Sequence, residues 1–207
     1  GTPLYVYSRA GILGMLSAYQ TAFKKWDPVV AYAVKANPSL GIIRALAGSG
    51  GGADIVSGGE LHRAIKAGVP PERIVFAGVG KSAVEMEEAL AAGILLFNVE
   101  SLPELELLNT VAGRMNRVAP IAIRVNPDVD PRTHAYISTG KKESKFGLDI
   151  RAAIEAYKRA AELPHITPIG IHSHIGSQIT RIQPFTQAIE KLTRVVREVR
   201  ELRIDLR

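Results

Sequence analysis

The 207 residues contain no cysteine. That excludes disulfides, zinc–thiolate sites and any thiol nucleophile within this chain. No window approaches an uninterrupted transmembrane run, and the opening residues Gly1-Thr2-Pro3-Leu4-Tyr5-Val6-Tyr7 carry no basic segment ahead of a long apolar core. A soluble, cytoplasmic protein with no membrane partner is the expectation. Aromatic residues are scarce, at 6%.

What is present is 46% hydrophobic residues, enough for one sizeable core. The formal charge of +6 raises nucleic acid as a partner, so the excess must be located. Much of it lies in the last segment, on Lys191, Arg194, Arg197, Arg200, Arg203 and Arg207, interleaved with Glu190, Glu198 and Glu201. Ile189, Leu192, Val195, Val196, Val199 and Leu202 form an apolar stripe at helical spacing beside them. With no aromatic platform among these cations, a solvated outer helix face accounts for them, and no nucleic-acid partner is expected.

Apolar runs predict a leading strand over 4–7 and further strands over 29–36, 53–56, 74–77, 94–98, 120–125 and 168–172. Helices are predicted over about 8–25, 39–47, 58–67, 82–91, 102–115, 150–161 and 184–202, and residues 126–147 form a long polar segment. Three Ser-x-x-Glu capping boxes, Ser57/Glu60, Ser82/Glu85 and Ser101/Glu104, open helices directly after strands. Strand and helix alternate about six times, which predicts an α/β fold of parallel (β/α) units, a TIM-type barrel. Such a barrel typically needs about 250 residues. The whole of 1–207 is therefore expected to be an incomplete barrel domain, with 204–207 beginning a seventh strand.

Polar groups gather at the predicted strand ends: Lys35, Asp54, Asn98, Arg124, and His172 with His174. In a TIM barrel those ends form the active-site face. Lys35 follows Tyr32-Ala33-Val34, and strand alternation places it with the small Ala31 and Ala33. A lysine turned inward loses hydration, which lowers its pKa and frees an amine that forms Schiff bases. A snorkelling lysine at a strand end is the plainer alternative. His172-x-His174 has a spacing used by metal-dependent hydrolases, but no carboxylate-rich partner set accompanies it, so no metal is expected. Gly176-Ser177 offers backbone and hydroxyl groups suited to a phosphate oxygen. Gly48-x-Gly50-x-x-Ala53 matches a dinucleotide fingerprint in form only, because it follows a helix and enters a strand.

Five segments carry a resemblance: 32–37 (Tyr-Ala-Val-Lys-Ala-Asn), 53–60 (Ala-Asp-Ile-Val-Ser-Gly-Gly-Glu), 124–130 (Arg-Val-Asn-Pro-Asp-Val-Asp), 134–147 from His-Ala-Tyr-Ile-Ser-Thr-Gly to Lys-Phe-Gly, and 170–178 (Gly-Ile-His-Ser-His-Ile-Gly-Ser-Gln). In this order they resemble the barrel domain of the diaminopimelate decarboxylase family, pyridoxal-phosphate enzymes that share their fold with alanine racemase and with ornithine and arginine decarboxylases. The resemblance implies pyridoxal 5'-phosphate as cofactor, with Lys35 anchoring it as a Schiff base and His174 stacking on its ring. It further implies Ser177 on the phosphate, Arg124 on the phenolic oxygen, and Asp54 and Glu60 in the surrounding network. A lid over 134–145, with His134, Tyr136, Ser138 and Lys145, would face the substrate.

The implied reaction is decarboxylation of meso-2,6-diaminopimelate to L-lysine, by a homodimer with shared active sites. The family's later glycine loop, Glu-Pro-Gly-Arg segment and C-terminal β-domain with its Cys-Glu-Ser-Gly-Asp motif are not found in these residues. The chain is thus expected to be an N-terminal portion, inactive alone. Another decarboxylase or racemase of the same fold, and a non-enzymatic pyridoxal-phosphate carrier, stand as alternatives.

Overall fold

The computed structural model describes residues 1–129 and 146–206. The chain divides into two compact units: Gly1–Phe76 with Ala91–Leu95, and Ala77–Leu90 with Leu96–Arg207.

In the first unit, the Ser8 hydroxyl accepts from the Gly11 N–H at 3.1 Å and opens helix α1 (Arg9–Ala22). Strands β1 (Ala31–Ala33), β2 (Gly52–Ile55) and β3 (Ile74–Phe76) follow, separated by helices α2 (Leu40–Ala47) and α3 (Gly58–Lys66). β2 pairs in parallel with β1 on one side and β3 on the other. Ala53, Ile55, Ile74 and Phe76 are all fully buried, as expected of parallel strands covered by crossover helices. The glycine cluster before β2 has a structural use. Gly50 adopts φ +78°, and a Cβ on Gly52 would run into the Arg73 carbonyl and the Val29 side chain.

The second unit contains α4 (Ala83–Ala92, its last two residues lying in the first unit), β4 (Leu96–Val99), α5 (Leu102–Arg114), β5 (Ala119–Arg124), α6 (Ile150–Glu162), β6 (Ile166–His172) and α7 (Gln183–Glu201). β5 pairs in parallel with β4 and β6. Between β5 and β6 the register slips by one residue: Ile121 faces Pro168 but Ala122 faces Gly170. The buried Tyr157 of α6 donates to the Gly170 carbonyl at 2.7 Å and secures this bulge, and burial pushes its hydroxyl pKa up. Six parallel strands alternating with helices give the α/β, (β/α)-unit class that the patterning predicts. Among the described residues no helix is long and apolar enough to cross a membrane.

Some local expectations are corrected. Residues 4–7 and 204–206 form no strand. In the first of these Leu4, Tyr5, Val6 and Tyr7 are exposed and pair with no neighbouring strand. The strand expected over 29–36 is only β1, because Val34–Ala36 turns into a single 3₁₀ turn. On α7 the buried line runs through Ala188, Val195 and Val199, leaving Ile189 63% exposed. Spacings of seven and four centre the stripe one residue earlier than the bulkier side chains suggest.

Gly52→Ala is expected to destabilise the protein by about 1–3 kcal/mol or more, since the clash is with backbone. Urea unfolding measures it; a variant as stable as the parent would show that β2 and Arg73 can part without cost.

Candidate active site

The site residues expected in the first unit follow β1 and β2. Asp54 of β2 stands half-buried opposite Ala33 in the parallel register. Lys35 comes two residues after Ala33, in the 3₁₀ turn. Strand alternation therefore does not set its direction, and Lys35 is exposed rather than turned inward. The turn is secured from both sides. The Tyr32 hydroxyl, its pKa raised chiefly by burial, donates to the Asn37 carbonyl at 3.3 Å. Asn37 Oδ1 accepts from the Ser39 N–H at 3.0 Å, and Arg63 donates to the Pro38 carbonyl at 3.2 Å. Glu60 is held at a helix start: its own N–H donates to Ser57 Oγ at 3.2 Å, and its carboxylate accepts from the Val56 N–H at 2.8 Å. An apolar groove of about 360 Å³ in this unit is lined by Ile12, Met15, Tyr19, Val30, Tyr32 and Leu46 among others, and none of the polar site residues enters it.

In the second unit the polar groups at strand ends form a connected network. Lys81, just ahead of α4, has a fully buried side chain. Its ammonium donates to the Gly78 carbonyl at 2.6 Å, the Asn98 carbonyl at 2.8 Å and Glu104 Oε1 at 2.6 Å. Three donors thus meet three acceptors, which is what a buried lysine needs. The other oxygen of Glu104 accepts from the Glu100 N–H at 2.9 Å. Burial pushes the Glu104 carboxyl above its ordinary value, and this outweighs the opposing pull of Lys81. Glu100, directly after β4, accepts from the Gly78 N–H at 2.8 Å and from Arg124 Nη1 at 2.8 Å.

Arg124 ends β5, and His172, its register partner, ends β6. The Phe146 ring lies 5.7 Å from the Arg124 guanidinium carbon. Gly147, at φ +81°, passes so close that a Cβ there would sit 2.9 Å from Arg124 Cγ. Beyond β6, His174 and Ser177 are exposed on a loop whose Ile175 is buried against Val129 and Ala188. Gly176 in that loop has φ +138°, which favours glycine.

His172, paired with Arg124 in the ladder register, and the buried Asn98 belong to the same unit. The lid residues His134, Tyr136, Ser138 and Lys145 lie outside the described residues. Sequence patterning does not single out Lys81 and Glu100, and it marks Glu104 only as a helix cap. The available signal was a lysine inside Gly78-Val79-Gly80-Lys81-Ser82, where a snug turn leaves little room for a solvated side chain.

Taken by itself, the first unit offers an exposed primary amine of the kind that reacts with an aldehyde. The second unit, taken by itself, offers a guanidinium held at a strand end and a glycine–serine loop, groups suited to an anion such as a phosphate. Ser173 Oγ, buried without a hydrogen-bond partner among the described residues, is a further polar atom beside that loop. The chain belongs to the pyridoxal-dependent decarboxylases, whose pyridoxal binding domain matches residues 9–207. Its cofactor is pyridoxal phosphate.

Within that class the similarity is narrower. The diaminopimelate decarboxylase of Aquifex aeolicus is 51% identical over 207 residues, covering 100% of this chain and 49% of that protein. The diaminopimelate decarboxylase of Pseudomonas aeruginosa is 52% identical over 196 residues, 95% of this chain and 47% of the relative. The crystal structure of the Helicobacter pylori diaminopimelate decarboxylase, complexed with L-lysine, matches with a TM-score of 0.98 at 44% identity, covering 100% of this chain and 52% of that one. The chain spans about half the length of the curated relatives it matches.

Lys81→Met leaves two carbonyls and the Glu104 carboxylate without their ammonium, and is expected to cost about 3–5 kcal/mol. The deficit also depends on pH. A carboxyl raised in the folded state contributes stability that is present below its ordinary value and lost as pH rises through the raised one. Without Lys81 the Glu104 carboxyl is raised further, so the deficit grows from mildly acidic to neutral pH. Denaturant unfolding across that range measures it, and a pH-independent deficit would contradict the assignment.

Proposed function

We propose that the protein catalyses decarboxylation of meso-2,6-diaminopimelate to L-lysine, with this chain as its pyridoxal-binding domain. The observation that carries the reading is identity near one half to diaminopimelate decarboxylases, sustained over the full chain. When bound, the cofactor supplies an electron sink for the pair released as carbon dioxide leaves.

The chain's own residues divide the remaining work. Lys35 anchors the cofactor covalently, and its exposed position leaves the amine open to the aldehyde carbon. Ser177, with the backbone around Gly176, receives the phosphate. His174 covers the ring face, and Arg124 stands by the phenolic oxygen as a cation held by Glu100. Asp54 and Glu60 complete the polar surroundings, Glu60 through its bond to the Val56 N–H. His134, Tyr136, Ser138 and Lys145 are assigned to the substrate side on sequence resemblance alone. The protein is further proposed to act in the cytoplasm as a homodimer with shared sites, a reading that rests on the same resemblance.

The test offers meso-diaminopimelate, ornithine and arginine side by side to the full-length protein and measures carbon dioxide and amine product. Release from meso-diaminopimelate with formation of L-lysine is expected, and Lys35→Ala is expected to abolish it. Preference for ornithine or arginine would move the protein to another decarboxylase branch. No release from any, with cofactor bound, would favour a carrier or racemase.

A further inference from the structure

The Glu100–Arg124 pair is nearly buried: the side chains are 1% and 9% exposed. A buried ion pair is a weak source of net stability, because desolvation offsets most of its attraction. Its geometry here controls orientation. Both Glu100 oxygens are engaged, Oε1 by the Gly78 N–H and Oε2 by Arg124 Nη1, so the carboxylate cannot turn without losing a bond. The backbone of Glu100 is fixed by Glu104, and Glu104 by Lys81, which also holds the Gly78 carbonyl. Gly78 thus donates to Glu100 through its N–H and accepts from Lys81 through its carbonyl, closing a circuit of bonds around the carboxylate.

Arg124 also lies near the Phe146 ring and against Gly147, whose missing side chain leaves room for the arginine stem. The ends of parallel strands are where α/β folds place ligands. Arg124 and His172 end adjacent strands there.

We propose that Glu100 is a positioning residue, which fixes the Arg124 guanidinium in the orientation that receives the cofactor. The inference rests on the reading that Arg124 contacts the cofactor. Glu100 touches no ligand itself; it acts by removing the rotational freedom of the arginine before binding.

The experiment measures the dissociation constant for pyridoxal phosphate by absorbance titration of the full-length protein, with thermal unfolding of each variant alongside. Glu100→Gln, Arg124→Met and the double variant form a cycle. Glu100→Gln is expected to weaken cofactor binding about tenfold, the lower end of what losing a ligand's supporting partner costs at metal sites. Arg124→Met is expected to weaken binding at least as much, and the double variant no further than Arg124→Met.

Unchanged affinity in a folded Glu100→Gln variant overturns the inference, as does full additivity in the double variant. Either result would make the pair purely structural. Unchanged affinity in Arg124→Met instead refutes the contact between Arg124 and the cofactor, and the positioning role falls with it. Should Glu100→Gln not fold, Glu100→Asp takes its place. It keeps the charge but withdraws it by one methylene, so a measurable loss of affinity is expected, and none would overturn the inference.

Discussion

The second unit depends on one buried ammonium. Lys81 has no exposed side-chain surface, and its three hydrogen bonds tie together the turn after β3, the strand β4 and the first turn of α5. An uncompensated charge in that position would be intolerable, so the acceptors are as necessary as the lysine. Through Glu104 and Glu100 the same network reaches Arg124, a group the reaction is proposed to use. Fold and site are therefore coupled by chemistry that a purely apolar core could not provide.

The two lysines near strand ends illustrate opposite solutions to the same problem. Lys81 is buried and satisfied, which makes it a structural cation. Lys35 stands on a short 3₁₀ turn, exposed, with the bonds around it made by Tyr32, Asn37 and Arg63. A turn fixed by its neighbours thus leaves the Lys35 amine accessible. The loop after β6 follows a similar plan: Ile175 is buried as an anchor while His174 and Ser177 remain reachable.

Much of this was legible in the sequence because periodicity and capping are local. Ser57, Ser82 and Ser101 each cap the helix expected of them, with Glu60, Glu85 and Glu104 donating their N–H groups back. The strand ends carrying Asp54, Arg124 and His172 were also readable from apolar runs and turns. What was not legible depends on distance along the chain. Lys81 meets Glu104 across 23 residues and Glu100 meets Arg124 across 24, and neither spacing leaves a pattern. The direction of Lys35 is illegible for the opposite reason: a very local turn ends the strand alternation just before it. The offset of the α7 stripe is similar, since Ala188 is buried in place of the larger Ile189.

Of the two lysines, the exposed Lys35 and not the buried, satisfied Lys81 is proposed to hold pyridoxal phosphate. Borohydride reduction of the cofactor-loaded full-length protein, followed by peptide mapping, tests it directly. The predicted result is a single pyridoxyl modification on Lys35 with Lys81 untouched. Label on Lys81, or on a surface lysine with Lys35 unmodified, would contradict it.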